Sequence, residues 1–580
     1  MVCQTDEPGS LYLYGDDVTA RAGIFDALFD GPIDTVGYVL QPVILASLPA
    51  VEAGTAGVAE VDVRPGDRVM DAVTGALVPL GEGVQLRQRD GSVLAYTGSD
   101  AARTVQTWAE FTLLPDLRWS DGEPLTADDS LFSYEIAAGA PTPASKFLVD
   151  RTARYEALDL LRTRWTGLPG WVETGFASHF WTPLARHRYG GQTPAALLAL
   201  PDLNEAPLGW GPFMAAPGGW VRGSSLTLVR NPNYFRAAEG LPHLDRVTFR
   251  FGLTADDILD ELAAGRCDVG SAAVDFGAQI ARVKNAQAAG DYQAHFVPDS
   301  AFEHLDFGIL PSEDYRRGAG NDLFQDVRVR QAVAHCLDRQ ALIDQLAEGL
   351  AEAPDSYLPV SHPFYAGDRL AHYGFDPARG QALLAEAGWD ALRTDGDGIR
   401  QKGNRRLAVE LSSGPRDSAF RAALGEFVQA QLRANCGMEV TPLLYELPAL
   451  FDLFPTGVIF GRKFDLASFP WRAGLVPPCD LYTTDAIAST TNPGGANNTG
   501  YSNPAFDAAC RAALDALDEA GRRSQHIEAQ ALFSQDLPSL PLFFRSKVGL
   551  TSPRVEGYQL DTTAGSDLWN VESIRLVDGD

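Results

Sequence analysis

The chain has 580 residues, with 47 Lys and Arg against 76 Asp and Glu for a formal net charge of −29, and its content is 45% hydrophobic and 10% aromatic. That length exceeds what one core holds, so two or three structural units are expected, some built from non-adjacent segments, and the ordinary apolar content excludes a disordered body. The acidity repels nucleic-acid phosphates and anionic lipid, which removes nucleic-acid binding from the functional classes and reads as a solvated surface.

No run of about 18 apolar residues is present to span a membrane as a helix. The cysteines Cys3, Cys267, Cys336, Cys436, Cys479 and Cys510 show no C-x-x-C spacing, so neither a zinc ribbon nor a dithiol redox motif is supported, and their pairing stays open. Residues 1–10 read as a polar tether. Beyond it, 10–14 reads as a short strand, and 22–29 and 38–48 as apolar segments flanking a turn at Gly31-Pro32. Residues 54–107 place recurring Gly and Asp between short alternating runs, the pattern of a β-rich subdomain of hairpins.

Residues 111–135 spell out a strand, a turn and a capped helix. Phe111, Leu113, Leu117 and Trp119 form an apolar set, and Ser120-Asp121-Gly122 is turn chemistry. Thr126 is then a helix N-cap, with Asp128 and Asp129 in the first turn, where the helix dipole favours negative charge, and Asp129 completing a capping box. Each acid therefore has a scaffold role, which argues against a catalytic carboxylate pair.

Further along, 155–159 and 162–165 read as paired strands, and Trp171, Phe176, Phe180 and Trp181 as subdomain core. Gly209 and Gly211 do not make a dinucleotide loop, because Met214 takes the place of the third glycine. Strand 246–251, helix 255–264 ended by Gly265, and strand 267–269 form a β-α-β unit. In 326–339, Val329, Val333, Cys336 and Leu337 line one helix face with Cys336 as a small core residue, and Asp338 caps a second helix reaching Leu346. Asp376-Pro377 opens another helix that stops before Gly388. The run Asp395-Gly396-Asp397-Gly398 lacks two calcium-loop ligands, since Ile399 and Arg406 stand at the fifth and twelfth positions, and so reads as a β-hairpin turn. Strand 407–412, helix 419–434 and strand 438–444 alternate as in an α/β lobe; 464–469 is a strand running into Pro470-Trp471. A Gly, Pro and Asn-rich loop, 474–503, precedes helices from Asn503-Pro504 and over 521–535, then a strand at 540–544.

No nucleophile elbow, P-loop or H-E-x-x-H motif occurs, and no cofactor is called for. His179 and His187 have no acidic neighbour in sequence, so no metal site is assigned to them.

The run LRWSDGEPLTADDSLFSYE at 117–135, the segments 208–213 and 226–235, and DVRVRQAVAHCLDR at 326–339 resemble the large extracytoplasmic solute-binding proteins of ABC importers, family 5, the oligopeptide, dipeptide and nickel-binding type. Matching segments run from about residue 111 to 560. The resemblance implies an α/β, two-lobed periplasmic-binding-protein fold of type II, in the large class with an extra β-rich subdomain. Lobe I would take 11–53, 202–306 and 546–580, its extra subdomain 54–201, and lobe II 307–545, with the chain leaving lobe I at 304–308. It implies a receptor and not an enzyme, a monomer outside the cytoplasm that closes on a peptide or small-molecule solute and delivers it to permease subunits. Alternatives are a non-peptide solute such as an oligosaccharide and, further off, a cleft hydrolase. Cys3 followed by a polar run is similar to the start of a mature lipoprotein, which would make it a lipid anchor. In peptide-binding members a cleft Trp is followed by an Asp that pairs with the peptide α-ammonium; here Trp471 is kept and Gly474 stands where the Asp is expected. Asp480 or Asp465 could substitute, whereas Arg472 favours a carboxylate or polyol ligand. Phe469 and Tyr38 join Trp471, Arg472 and Asp480 as cleft candidates.

Overall fold

A computed structural model describes residues 1–15, 18–98, 100–315, 322–392 and 396–577. The chain forms two compact units, 1–295 with 548–580, and 296–547. It passes from the first to the second in strand Gln293–Phe307 and returns in strand Ser539–Thr551.

In the first unit, the short strand Val2–Cys3 is the unexpected element. It is buried and runs parallel to strand Arg246–Arg250 on one side and to Val269–Gly270 on the other. Cys3, 0% exposed, is disulfide-bonded to Cys267. The expected tether over 1–10 is therefore corrected at its start, and the lipid-anchor assignment of Cys3 with it, because a sulfur committed to a disulfide cannot also carry a thioether. Residues 10–14 are turn and not strand. Their carbonyls at Tyr12 and Leu13 accept from the Arg21 guanidinium, so they bond to a side chain in place of a ladder. Helix Ala255–Ala263 has its Thr254–Asp257 capping box, and Gly265 beyond it adopts φ +68.

The β-rich part follows expectation. Strands Thr152–Ala157, Arg162–Gly167, Ala102–Thr112 and Ala56–Val63 make an antiparallel sheet, with hairpins Arg68–Met70 to Leu77–Pro79 and Gln85–Arg87 to Val93–Ala95 beside it. Thr126 caps helix Ala127–Ala138, and its backbone N–H donates to Asp129 Oδ2 at 2.8 Å. The other oxygen of Asp129 accepts from the Arg186 amide at 2.8 Å, so this buried acid ties the helix start to a later segment. A cap of this kind contributes on the order of 1 kcal/mol.

The second unit carries strand Leu466–Arg472, antiparallel to residues 301–307 and parallel at its start to Ala408–Ser413, which in turn pairs in parallel with Glu439–Leu444. Helix Val327–Cys336 presents Val329, Val333 and Cys336 to a core that includes Leu342, Leu384, Val428 and Leu466, as its periodicity requires. Asp338 caps the second of the paired helices as read, and Asp326 caps the first. Cys336 is in this core, but bonded to Cys436, and Cys479 is bonded to Cys510. Strands Ala391–Leu392 and Arg400–Lys402 are antiparallel partners, in line with the hairpin reading, and Gly396, Asp397 and Gly398 precede the second of them; Asp395 lies outside the described residues. Arg406, at the position where a calcium loop needs an oxygen, is paired with Asp397 and Glu439. Among the described residues, no helix is long and apolar enough to cross a membrane.

Candidate functional site

The strand Leu466–Arg472 is the frame of the candidate site in the second unit. Alternation along it sends Ala467, Phe469 and Trp471 to one face, and the antiparallel register sets Trp471 opposite Phe302 and Phe469 opposite His304. Phe469 is 2% exposed and packs with Leu450, Ile459, Phe464 and Ala467, edge-to-face with His304 at 4.7 Å. It is therefore core beneath the site, a correction to its place among the ligand contacts: a ring enclosed on all sides has no face left for solute. Trp471, two residues on, is half-buried, its ring edge-to-face on Phe469 at 5.5 Å. That leaves a rigidly held indole with part of its surface open.

Arg472 is exposed. Its Nη1 donates to Ser300 Oγ at 3.1 Å and stands 3.6 Å from Asp299 Oδ1, so two residues of the outgoing strand orient the guanidinium. At this exposure the ion pair contributes at most about 1 kcal/mol, so Arg472 can exchange Asp299 for a solute acceptor at little cost. Beyond it, Ala473 N–H donates to Ser300 O at 2.9 Å, and His362 Nε2 lies 3.2 Å from the carbonyl of exposed Gly474. Burial lowers the pKa of His362 to about 4, so its ring is neutral at ordinary pH. Asp480 is exposed at the head of the turn Cys479–Tyr482, next to the Cys479–Cys510 disulfide, and desolvation by its surroundings pushes its carboxyl above the usual range. Asp465 is different: buried, accepting the Glu410 amide at 2.9 Å and bonded to the Tyr315 hydroxyl. It holds the sheet together and does not substitute for the acid missing at Gly474.

Tyr38 belongs to the first unit, at the tip of the hairpin Ile33–Val36 to Val39–Pro42. It has φ 63 and is 5% exposed, and its N–H donates to Thr563 Oγ1 at 3.0 Å. This is the geometry of a turn residue packed inward, which corrects its reading as a solute contact. Below the hairpin lies a cluster of buried acids. Asp30 Oδ2 accepts the Tyr234 hydroxyl at 2.6 Å, and Glu572 pairs with Arg236 at 2.9 Å. Burial, then the charge of Glu572, pushes Asp30 up to about 8 and Asp34 up to about 6. A carboxyl whose folded pKa exceeds its unfolded one stabilises fully only below the unfolded value, and that stability is lost as pH rises through the folded value. Asp30→Asn is accordingly expected to flatten the fall in first-unit stability between about pH 4 and pH 8, by an order of a few kcal/mol at the alkaline end. Chemical denaturation at pH 5 and pH 8.5 measures it, and equal slopes for the two proteins would contradict the assignment.

The histidines do not assemble a metal centre. His179 is buried, edge-to-face on Trp165 at 4.5 Å, and lowered to about 4 by burial, while His187 faces Asp121 Oδ2 at 2.9 Å, an acid distant in sequence. Among the described residues no group of three His, Cys, Asp or Glu side chains could hold a metal ion. Asp299, Ser300 and His362 were not legible as parts of the site; they reach it through strand pairing and a distant loop, which no local pattern reports.

The sequence pattern described as bacterial extracellular solute-binding proteins, family 5 Middle, matches residues 102–493. The chain belongs to this family. Among curated relatives, the oligopeptide-binding protein AppA of Bacillus subtilis is 26% identical over 477 residues, covering 80% of this chain and 79% of that protein. The solved structure of AppA from Bacillus subtilis in complex with a nonapeptide is similar, with TM-score 0.59 and 20% identity over 100% of this chain and 98% of that one. HbpA2 from Haemophilus parasuis gives TM-score 0.70 at 16% identity over 99% of both chains. The family 5 protein thus has the two-lobed α/β periplasmic-binding-protein fold, and its family is one of solute-binding proteins and not of enzymes.

Proposed function

We propose that this family 5 protein is the solute receptor of an ABC importer and captures a peptide or peptide-like solute outside the cytoplasm. The observation that carries the reading is the family match across 102–493, which includes the Trp471 strand, together with a relative that is named for oligopeptide binding. Two units joined by two strands suit a hinge, and a solute that contacts both would bias it toward closure, which a permease can read. Trp471 supplies a stacking surface and Arg472 a donor fork for a solute carboxylate. Gly474 leaves the α-ammonium without an acid at that position, and exposed Asp480, six residues on, is an acid that could take it. The working form is a monomer that meets the permease subunits when closed.

A thermal-shift screen of di- to octapeptides, oligosaccharides and metal chelates tests the reading. A ligand at a hundred times its dissociation constant stabilises by about 2.7 kcal/mol, so peptides are expected to raise the melting temperature measurably. A shift with oligosaccharides alone would replace the peptide reading by the non-peptide one.

A further inference from the structure

The two strands that carry the chain between its units share a buried charge cluster that solute contact does not explain. On the outgoing strand Gln293–Phe307, residues 294–300 are half-exposed and 301–307 buried. On the return strand Ser539–Thr551, only residues 545–547 are half-exposed, between buried runs. A strand loosely packed over one stretch and enclosed beyond it changes its dihedrals most cheaply in that stretch.

One carboxylate stands at the second-unit end of both stretches. Glu303, 0% exposed, accepts from Arg421 Nη1 at 2.6 Å and Nη2 at 3.1 Å, from helix Ala419–Cys436, and from Arg545 Nε at 2.8 Å, from the return strand. Both guanidinium groups also lie over the ring of Phe420, at 5.1 and 5.8 Å. Burial alone would raise the Glu303 carboxyl, but the two cations hold it below the usual range, so the cluster is ionic at neutral pH. In the first unit a second tie joins the same two strands: His295 Nε2 is 3.0 Å from Thr551 Oγ1. The half-exposed residues 296–300 and 546–547 lie between these ties.

We propose that Glu303, Arg421 and Arg545 form a positioning cluster that fixes both crossing strands to the second unit and confines the bending of solute capture to 296–300 and 546–547. The inference rests on the reading of capture by closure. It also sets the solute-facing strand, because Glu303 stands opposite Pro470, and Phe302 opposite Trp471. Replacing Glu303 leaves the buried Arg421 guanidinium without its acid and endangers the fold. Arg545 is the safer probe: its side chain is 42% exposed, and its loss leaves Glu303 paired with Arg421.

The test is hydrogen–deuterium exchange and small-angle scattering on the ligand-free full chain, wild type against Arg545→Met and Arg545→Lys. In the wild type, 303–307 is expected to exchange at least ten-fold more slowly than 296–300. In Arg545→Met, exchange over 542–547 rises at least ten-fold and the radius of gyration grows, while 303–307 and the melting temperature hold; Arg545→Lys, which keeps a cation for Glu303, restores protection. Unchanged exchange at 542–547, or a rise spread over the whole second unit with a lower melting temperature, overturns the proposal and leaves only a structural ion pair. Because these readouts need no solute, localised loosening without compaction by any peptide supports the cluster and sinks the capture reading.

Discussion

Changing Cys3 and Cys267 together to alanine is expected to lower the stability of the first unit by about 2 to 5 kcal/mol. The bond closes 264 residues of sequence separation, against 31 for Cys479–Cys510, and in the chain-entropy account a longer loop leaves the unfolded chain more freedom to regain. Its position adds to the effect. Val2–Cys3 is a two-residue strand inserted between two parallel neighbours, and two residues of ladder hold a strand weakly, so the cross-link keeps the sheet continuous across its middle. Alanine is the replacement of choice because both sulfurs are enclosed and a serine hydroxyl would need a partner there. Fluorescence-detected denaturation follows the first unit well, since eight of the ten tryptophans, all but Trp389 and Trp471, lie in it. An unchanged midpoint, or a non-reducing peptide map in which Cys3 is not joined to Cys267, would contradict the assignment. The comparison of Cys479→Ala/Cys510→Ala with the wild type, expected to cost less, serves as the internal scale.

The strand Val2–Cys3 also marks the limit of what the sequence discloses. Helices with caps were legible because their signals are local: Asp338 accepts from the Ala341 amide three residues on, and Asn503 from the Ala505 amide. Hairpins such as Gln85–Arg87 with Val93–Ala95 were legible for the same reason, through turn residues and alternation. Val2–Cys3 has no such signal, since two apolar-facing residues beside a polar run look the same in a tether and in a strand, and its partners are more than 240 residues away. The division between units shows the same limit. His304 to Gly308 was expected to lie where the chain leaves the first unit, yet the change falls after His295, because residues 301–307 already pair with Leu466–Arg472. At the site, Trp471 and Arg472 stood out as residue types, but the sequence could not separate Trp471 from Phe469. Strand alternation gives both the same face, and what distinguishes them is that helix Leu447–Phe451 packs over Phe469, where Phe451 meets it edge-on at 5.5 Å.

Trp471→Ala is expected to weaken solute binding by about 1 to 3 kcal/mol, a loss of roughly 5- to 150-fold in affinity for whichever peptide the thermal screen selects. The indole is fixed from below by its edge-to-face contact with Phe469, so a solute that stacks on it orders no side chain that was free before, and little of the contact energy is lost to entropy. The substitution also removes that internal contact, which is worth about 0.5 to 1.5 kcal/mol beyond area burial, so stability falls too and must be separated from affinity. Trp471→Phe makes the separation: it keeps an aromatic ring against Phe469 while reducing the surface offered to solute. If the indole stacks on solute, affinity falls in the order wild type, Phe, Ala, with the melting temperature of the free Phe variant close to that of the wild type. If Trp471 serves the core alone, the melting temperature of the free Ala variant falls while isothermal titration returns the wild-type dissociation constant. Arg472→Gln resolves the remaining contact. The guanidinium is exposed and only loosely held by Asp299, so its loss should leave stability unchanged, and a fall in affinity for free peptides that C-terminal amidation reproduces would assign it to the solute carboxylate.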